Sequence, residues 1–149
     1  MRAVIQRVSS ASVSIGGAVV SSIGRGLLVL LGIGQDDDDT DLDYLVRKIA
    51  ALRIFDDGEG VMNLSVTDVS GDVIVVSQFT LMASTRKGNR PSYIDAAGHG
   101  KAIPLYEAFC RSLSDAIGRQ VGTGQFGADM QVALVNDGPV TICIDSKNK

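Results

Sequence analysis

Val73-Ile74-Val75-Val76 restricts the fold more than any other stretch of the chain. β-Branched side chains are crowded at χ1 in a helix and pack well on a pleated strand. An unbroken apolar run suits a strand covered on both faces. The run continues as Ser77-Gln78-Phe79-Thr80-Leu81, so the sequence predicts a strand over 73–81 that turns polar at its end. Alternation along a strand puts Gln78 and Thr80 on one face and Ser77 and Phe79 on the other. A buried hydroxyl or amide without a partner costs roughly 1–3 kcal/mol. The polar end therefore either bonds neighbouring backbone or lines a polar pocket.

The remaining patterns supply layers for this strand. Arg2 to Ile15 alternates as a long first strand, and Gly16-Gly17 signals a hairpin. Ala18 to Ile23 and Leu27 to Ile33, separated by a second tight turn at Gly24-Arg25-Gly26, complete an antiparallel meander. Leu42, Leu45, Val46 and Ile49 make a helical stripe from about Thr40 to Ala51, capped by Thr40 or Asp39. A second helix begins near Pro104 and stops at Gly118, with Leu105, Phe109, Leu113 and Ile117 on one face. Short strands are expected at Leu52–Phe55 and from Val121. Two closing strands, Met130 to Val135 and Val140 to Ile144, flank a turn at Asn136-Asp137-Gly138-Pro139. The fold class is α/β, a single domain over residues 1–149 with mostly antiparallel strands and two main helices.

Several functions are excluded at this level. A net charge of −3 rules out a polycation, so nucleic acid must be met by a local patch; DNA is not an expected partner. Gly32-Ile33-Gly34 is followed by Asp36-Asp37-Asp38-Asp39, whose carboxylates repel a pyrophosphate, so a dinucleotide site is rejected. One histidine, His99, and two separated cysteines, Cys110 and Cys143, leave no zinc set; no metal and no cofactor are expected. Both thiols read as buried and reduced, in keeping with a cytoplasmic protein. The opening stretch reads as a strand rather than a signal peptide, and no apolar run reaches membrane length.

Residues 83–100 lack periodicity and read as an ordered loop. It carries Arg86, Lys87 and Arg90 within five positions. Such a cluster is either a solvated basic loop or a phosphate contact next to the polar strand end. Phe126, near Gly124 and Gly127, is either core or a pocket wall.

Ser77-Gln78-Phe79-Thr80-Leu81 and Asn136-Asp137-Gly138-Pro139-Val140-Thr141 together resemble the signature pair of the D-aminoacyl-tRNA deacylase family. The stretches Arg2 to Val8, Gly88-Asn89-Arg90-Pro91-Ser92 and Gly127-Ala128-Asp129-Met130 extend the similarity along the whole chain. The resemblance implies a homodimer of three-layer subunits that hydrolyses the ester linking a D-amino acid to tRNA. It implies that Gly138-Pro139 is cis and enters the active site of the other subunit, held in place by Arg7. Ser77, Gln78, Phe79 and Thr80 are then the catalytic stretch. Gly138, Pro139, Phe126 and Arg7 form the substrate-binding set, and Arg86, Lys87 and Arg90 the tRNA contacts.

An aminoacyl ester is already activated, so modest catalysis suffices. Either Thr80 attacks the ester, or it positions substrate and water while main-chain N–H groups at Phe79 and Thr80 hold the oxyanion. The second is favoured, because no base is evident for Thr80, and the ribose 2′-hydroxyl is available to assist. L- and D-esters carry identical groups, so selection needs a wall against the wrong placement. Glycine has no Cβ to meet that wall, so glycyl-tRNA is also an expected substrate. A competing reading, an RNA-binding module without chemistry, has the basic loop for it and the modest aromatic content of 5% against it. A structural dimer without chemistry leaves the polar strand end unexplained.

Overall fold

The computed structural model describes residues Met1–Lys149. Its spine is β1 (Arg2–Ile15), whose alternating apolar residues are buried while the polar ones reach its other face. One edge of β1 pairs in succession with β2 (Ala18–Ile23) and β3 (Gly26–Gly32); Ala18 lies opposite Ile15, and Gly32 opposite Arg2. The other edge pairs with β8 (Gln131–Asp145) over nearly its whole length. The expected meander is therefore corrected. Gly24-Arg25 kinks a single return limb instead of reversing it, because β1 itself bends where Ser9 is left over between the Val8–Asn136 and Ser10–Val135 pairs.

β6 (Asp72–Ser77) runs parallel to β3, and β7 (Gly122–Thr123) runs parallel to β6. The sheet is thus mixed, with the antiparallel pairings gathered around β1. Val73 to Val76 are buried on both faces, as their composition predicts. Val73 and Val75 join the main core with Ile5, Val29, Leu31, Phe109 and Leu113. Ile74 and Val76 join a second core with Val8, Val13 and Leu28, closed by Met130 just before β8 and by Val132 and Leu134 on it. The bent sheet lies over itself to enclose this second core, and the helices cover the first, giving three layers.

Helix α1 (Asp39–Ala50) buries Leu42, Leu45, Val46 and Ile49 against the other helix and the sheet. Its cap is Asp38, one residue earlier than expected. The Asp38 carboxylate accepts from Thr40 N–H at 2.9 Å, and Asp41 returns the contact to Asp38 N–H at 3.0 Å. Helix α2 (His99–Ile117) starts five residues before Pro104. The proline sits in the second turn, where its missing N–H removes one ladder bond near the open end of the helix. Gly118 ends α2 in the left-handed region, as expected. The strand expected at Leu52–Phe55 is shorter and later: β4 (Phe55–Asp56) pairs with β5 (Met62–Leu64) in a small separate sheet. Cys110 is buried, but Cys143 is exposed on β8, which corrects the reading of two buried thiols.

Candidate functional site

The predicted strand 73–81 stops at Ser77. Gln78 N–H makes the last ladder bond, to Leu31 O at 2.7 Å, and the chain then folds into a 3-10 turn at Phe79–Met82. The face assignment for Ser77 to Thr80 therefore does not hold. The turn is seated on Gly32: a Cβ there would stand 2.8 Å from Leu81 Cβ and 3.0 Å from the Gln78 carbonyl oxygen. Gln78 Nε2 donates to Thr80 Oγ1, so the two polar side chains satisfy each other. The N–H groups of Phe79 and Thr80 open the turn without backbone partners.

Beside this turn lies a cavity of about 630 Å³. Ser77, Gln78 and Phe79 form one wall, and the chain from Ala96 to His99 forms another. Phe126, Met130 and Val132 close it. Thr80 does not reach the lining; it stands behind Gln78. The Phe79 ring is half exposed at the rim and meets Tyr93 edge-on at 5.1 Å. Phe126 packs against His99 at 5.5 Å and Tyr106 at 6.0 Å, which makes it both a core residue and a cavity wall. Tyr106 hydroxyl donates to Val75 O at 2.7 Å, and burial raises its pKa far above the usual phenol value, so it acts as a fixed neutral donor. Burial likewise pushes the Cys110 thiol up to about 11, which removes it as a nucleophile.

Tyr93 and His99 were not legible as site residues in the sequence. His99 is the first residue of α2 and not part of the loop expected over 83–100, but the helical stripe is readable only after Pro104. Tyr93 is brought in by the bridge between Ser84 and Ser92, which pinches the base of the long loop. Arg86, Lys87 and Arg90 project from that loop, exposed and outside the cavity. The ion pairs within the chain use other cations.

Asn136-Asp137-Gly138-Pro139 is not a turn between two strands. It bulges from the middle of the continuous strand β8. Gln6 pairs with Thr141 and Val8 with Asn136, so Arg7 alone faces residues 137–140. The Gly138-Pro139 peptide is cis, and Gly138 has φ +131°, a region that L side chains rarely adopt. Arg7 is buried beneath the bulge. Its Nε donates to Asp137 O at 2.9 Å and its Nη1 to Ile54 O at 2.7 Å. Gly138 and Pro139 are exposed and lie outside the cavity. At about 3.3 Å per residue, the six steps along β8 from Val132, on the cavity wall, to Gly138 span roughly 20 Å. The chain thus keeps Phe126 beside Ser77, Gln78 and Phe79 and carries Gly138, Pro139 and Arg7 elsewhere.

The family model described as D-Tyr-tRNA(Tyr) deacylase matches residues 4–145. A D-aminoacyl-tRNA deacylase of Porphyromonas gingivalis is 66% identical over 149 residues, covering 100% of this chain and 99% of the relative. One from Bacteroides thetaiotaomicron is 60% identical over the same span. Among solved structures, the c-Myc DNA unwinding element binding protein superposes with TM-score 0.93 at 44% identity, covering 97% of this chain and 98% of that one. A structure described as a probable eukaryotic D-amino acid tRNA deacylase gives TM-score 0.83 at 19% identity over 96% of this chain and 97% of that one, a likeness of fold alone. With the signature stretches at the cavity and on the bulge of β8, and a family match over nearly its full length, the chain belongs to the D-Tyr-tRNA(Tyr) deacylase family.

Proposed function

We propose that the protein hydrolyses the ester bond of D-aminoacyl-tRNA, and of glycyl-tRNA, releasing the amino acid and free tRNA. It works as a homodimer in which Gly138-Pro139 of one subunit closes the cavity of the other. The observation that carries this reading is the exposed Gly138-Pro139 unit, anchored by Arg7 yet absent from its own cavity. β8 supports the dimer: its outer edge is unpaired, and Val135 on it is 57% exposed.

The aminoacyl-adenosine end occupies the cavity, with Phe126 beside the nucleoside or the ester. Main-chain N–H groups of Phe79 and Thr80 receive the oxyanion, being free of ladder bonds. Thr80 does not attack, because no base is bonded to it; its hydroxyl accepts from Gln78 Nε2 and holds that side chain at the cavity wall. The substrate's own 2′-hydroxyl assists the attacking water. The partner's Gly138-Pro139 backbone meets the substrate ammonium and leaves room only for hydrogen on one side of Cα, so an L side chain is excluded. Arg86, Lys87 and Arg90 hold phosphates of the acceptor end, and the substrate places the enzyme in the cytoplasm. Matched D-, L- and glycyl-tRNA incubated with the purified protein test the reading: D- and glycyl esters are cleaved and L- esters spared. Equal cleavage of D- and L- esters overturns it.

A further inference from the structure

Arg7 is not held by Asp137 alone. Its guanidinium lies between two carboxylates from different sheets: Asp56 of β4, 3.5 Å from Nη1, and Asp137 of β8, whose Oδ2 is 3.5 Å from Nε. The β4 side of the contact is completed by Ile54 O, which accepts from the same Nη1 at 2.7 Å. The third nitrogen faces the motif: a Cβ on Gly138 would stand 3.1 Å from Arg7 Nη2. The guanidinium plane is rigid, so a shift of its Nη1 corner moves the edge that touches Gly138.

From this geometry we propose that Asp56 is a positioning residue for the discrimination of handedness: with Ile54 O it fixes one corner of Arg7, and through Arg7 it sets the place of Gly138. The small β4–β5 sheet thereby becomes part of the chirality device, although neither strand lines the cavity. The inference rests on the reading that Gly138-Pro139 senses handedness. It assigns no contact between Asp56 and substrate.

The charge arrangement keeps the idea testable without unfolding the chain. Arg7 retains Asp137 and both carbonyls when Asp56 is neutralised, and Asp56 is itself 53% exposed. The variants are Asp56→Asn and Asp56→Glu, measured as purified full-length protein. Three readouts are the ratio of kcat/KM for D- over L-aminoacyl-tRNA, the Tm, and hydrogen exchange of the Arg7 Nε–H by NMR. In Asp56→Asn the ratio falls about tenfold, less than the roughly hundredfold that an ångström of misplacement can cost. Arg7 Nε–H exchange accelerates while the Tm stays at the wild-type value. Asp56→Glu restores the ratio to within about threefold of wild type, since the carboxylate returns. A wild-type ratio in Asp56→Asn overturns the proposal. So does a large fall in Tm with the ratio intact, which marks Asp56 as structural only. Gly138→Ala separates this failure from failure of the wider reading. If Gly138→Ala destroys the ratio and Asp56→Asn does not, only the role of Asp56 falls; if neither changes it, both fall.

Discussion

Arg7 Nε donates to the Asp137 carbonyl at 2.9 Å, one residue before the glycine of the cis Gly138-Pro139 unit. A single buried guanidinium thus anchors the bulge on β8 and, through Nη1, the chain before β4. Arg7→Lys keeps the charge but presents one compact ammonium, which cannot serve carbonyls on both sides. One buried carbonyl is left without its donor, at about 1–3 kcal/mol. The expected result is a modest fall in Tm and a loss of D-specific deacylation larger than the change in KM, read by steady-state kinetics on D- and L-aminoacyl-tRNA.

Gly32 sets the height of the Phe79–Met82 turn. An added methyl would press on Leu81 Cβ at 2.8 Å and the Gln78 carbonyl at 3.0 Å, neither of which is a flexible tip. Gly32→Ala should lower stability by about 1–3 kcal/mol, the usual cost of overpacking. Because the turn carries the free N–H groups, kcat should fall at least about tenfold in the surviving folded protein. Denaturant titration with parallel turnover measurements checks both parts.

On the proposed reading, the exposed cations of the long loop meet tRNA through its phosphates. Replacing Arg86, Lys87 and Arg90 by alanine should raise KM alike for all aminoacyl groups and leave the D over L ratio unchanged. If each touches one single-stranded phosphate, the log–log salt slope of binding loses about 2, at roughly 0.7 per contact. Filter binding across a salt series provides the measurement.

Acid stability is governed in part by Asp41, far from the cavity. Burial alone would raise its pKa, but hydrogen bonds from Lys147 at 2.8 Å, Ser146 at 2.6 Å and the Asp38 N–H outweigh it and hold the carboxyl well below 3.8. A carboxylate depressed in this way contributes stability above its unfolded pKa and loses it as pH falls toward the folded value. Stability should therefore decline below about pH 4, with Asp41 supplying about 1–2 kcal/mol of the loss. Asp41→Asn should be less stable at neutral pH and show a flatter acid limb in pH-dependent melts.

The fold was legible wherever local pattern and burial agree. Val73 to Val76, the stripe on α1 and the glycine stop of α2 follow from side-chain period and backbone chemistry alone. The misreadings share a cause, which is that local signals do not report long-range pairing. Gly24-Arg25 looks like a reversal, but both flanking segments stay paired to one long strand. Asp137-Gly138 looks like a hairpin, yet β1 continues on both sides of Arg7 and keeps β8 in a single line. A strand continued past Ser77 would carry Thr80 into the pocket, but the chain turns at Ser77, where it approaches Gly32 closely. His99 and Tyr93 reach the cavity through the early start of α2 and the pinched loop, neither of which has a periodic signature.

If the Gly138-Pro139 backbone reads handedness in the neighbouring subunit, as proposed, subunit mixing shows it directly. Gly138→Ala spoils the motif, since a Cβ at φ +131° would meet Val140 Cγ2 at 2.9 Å and Arg7 Nη2 at 3.1 Å. Ala128→Trp plugs the cavity but leaves the motif intact. Each variant alone should be inactive on D-aminoacyl-tRNA. Unfolded together and refolded as an equal mixture, they should recover about a quarter of wild-type D-specific activity, because about half of the dimers pair unlike subunits and one of their two sites is whole. No recovery from folded mixed dimers would mean that the motif serves its own subunit, and would contradict the account.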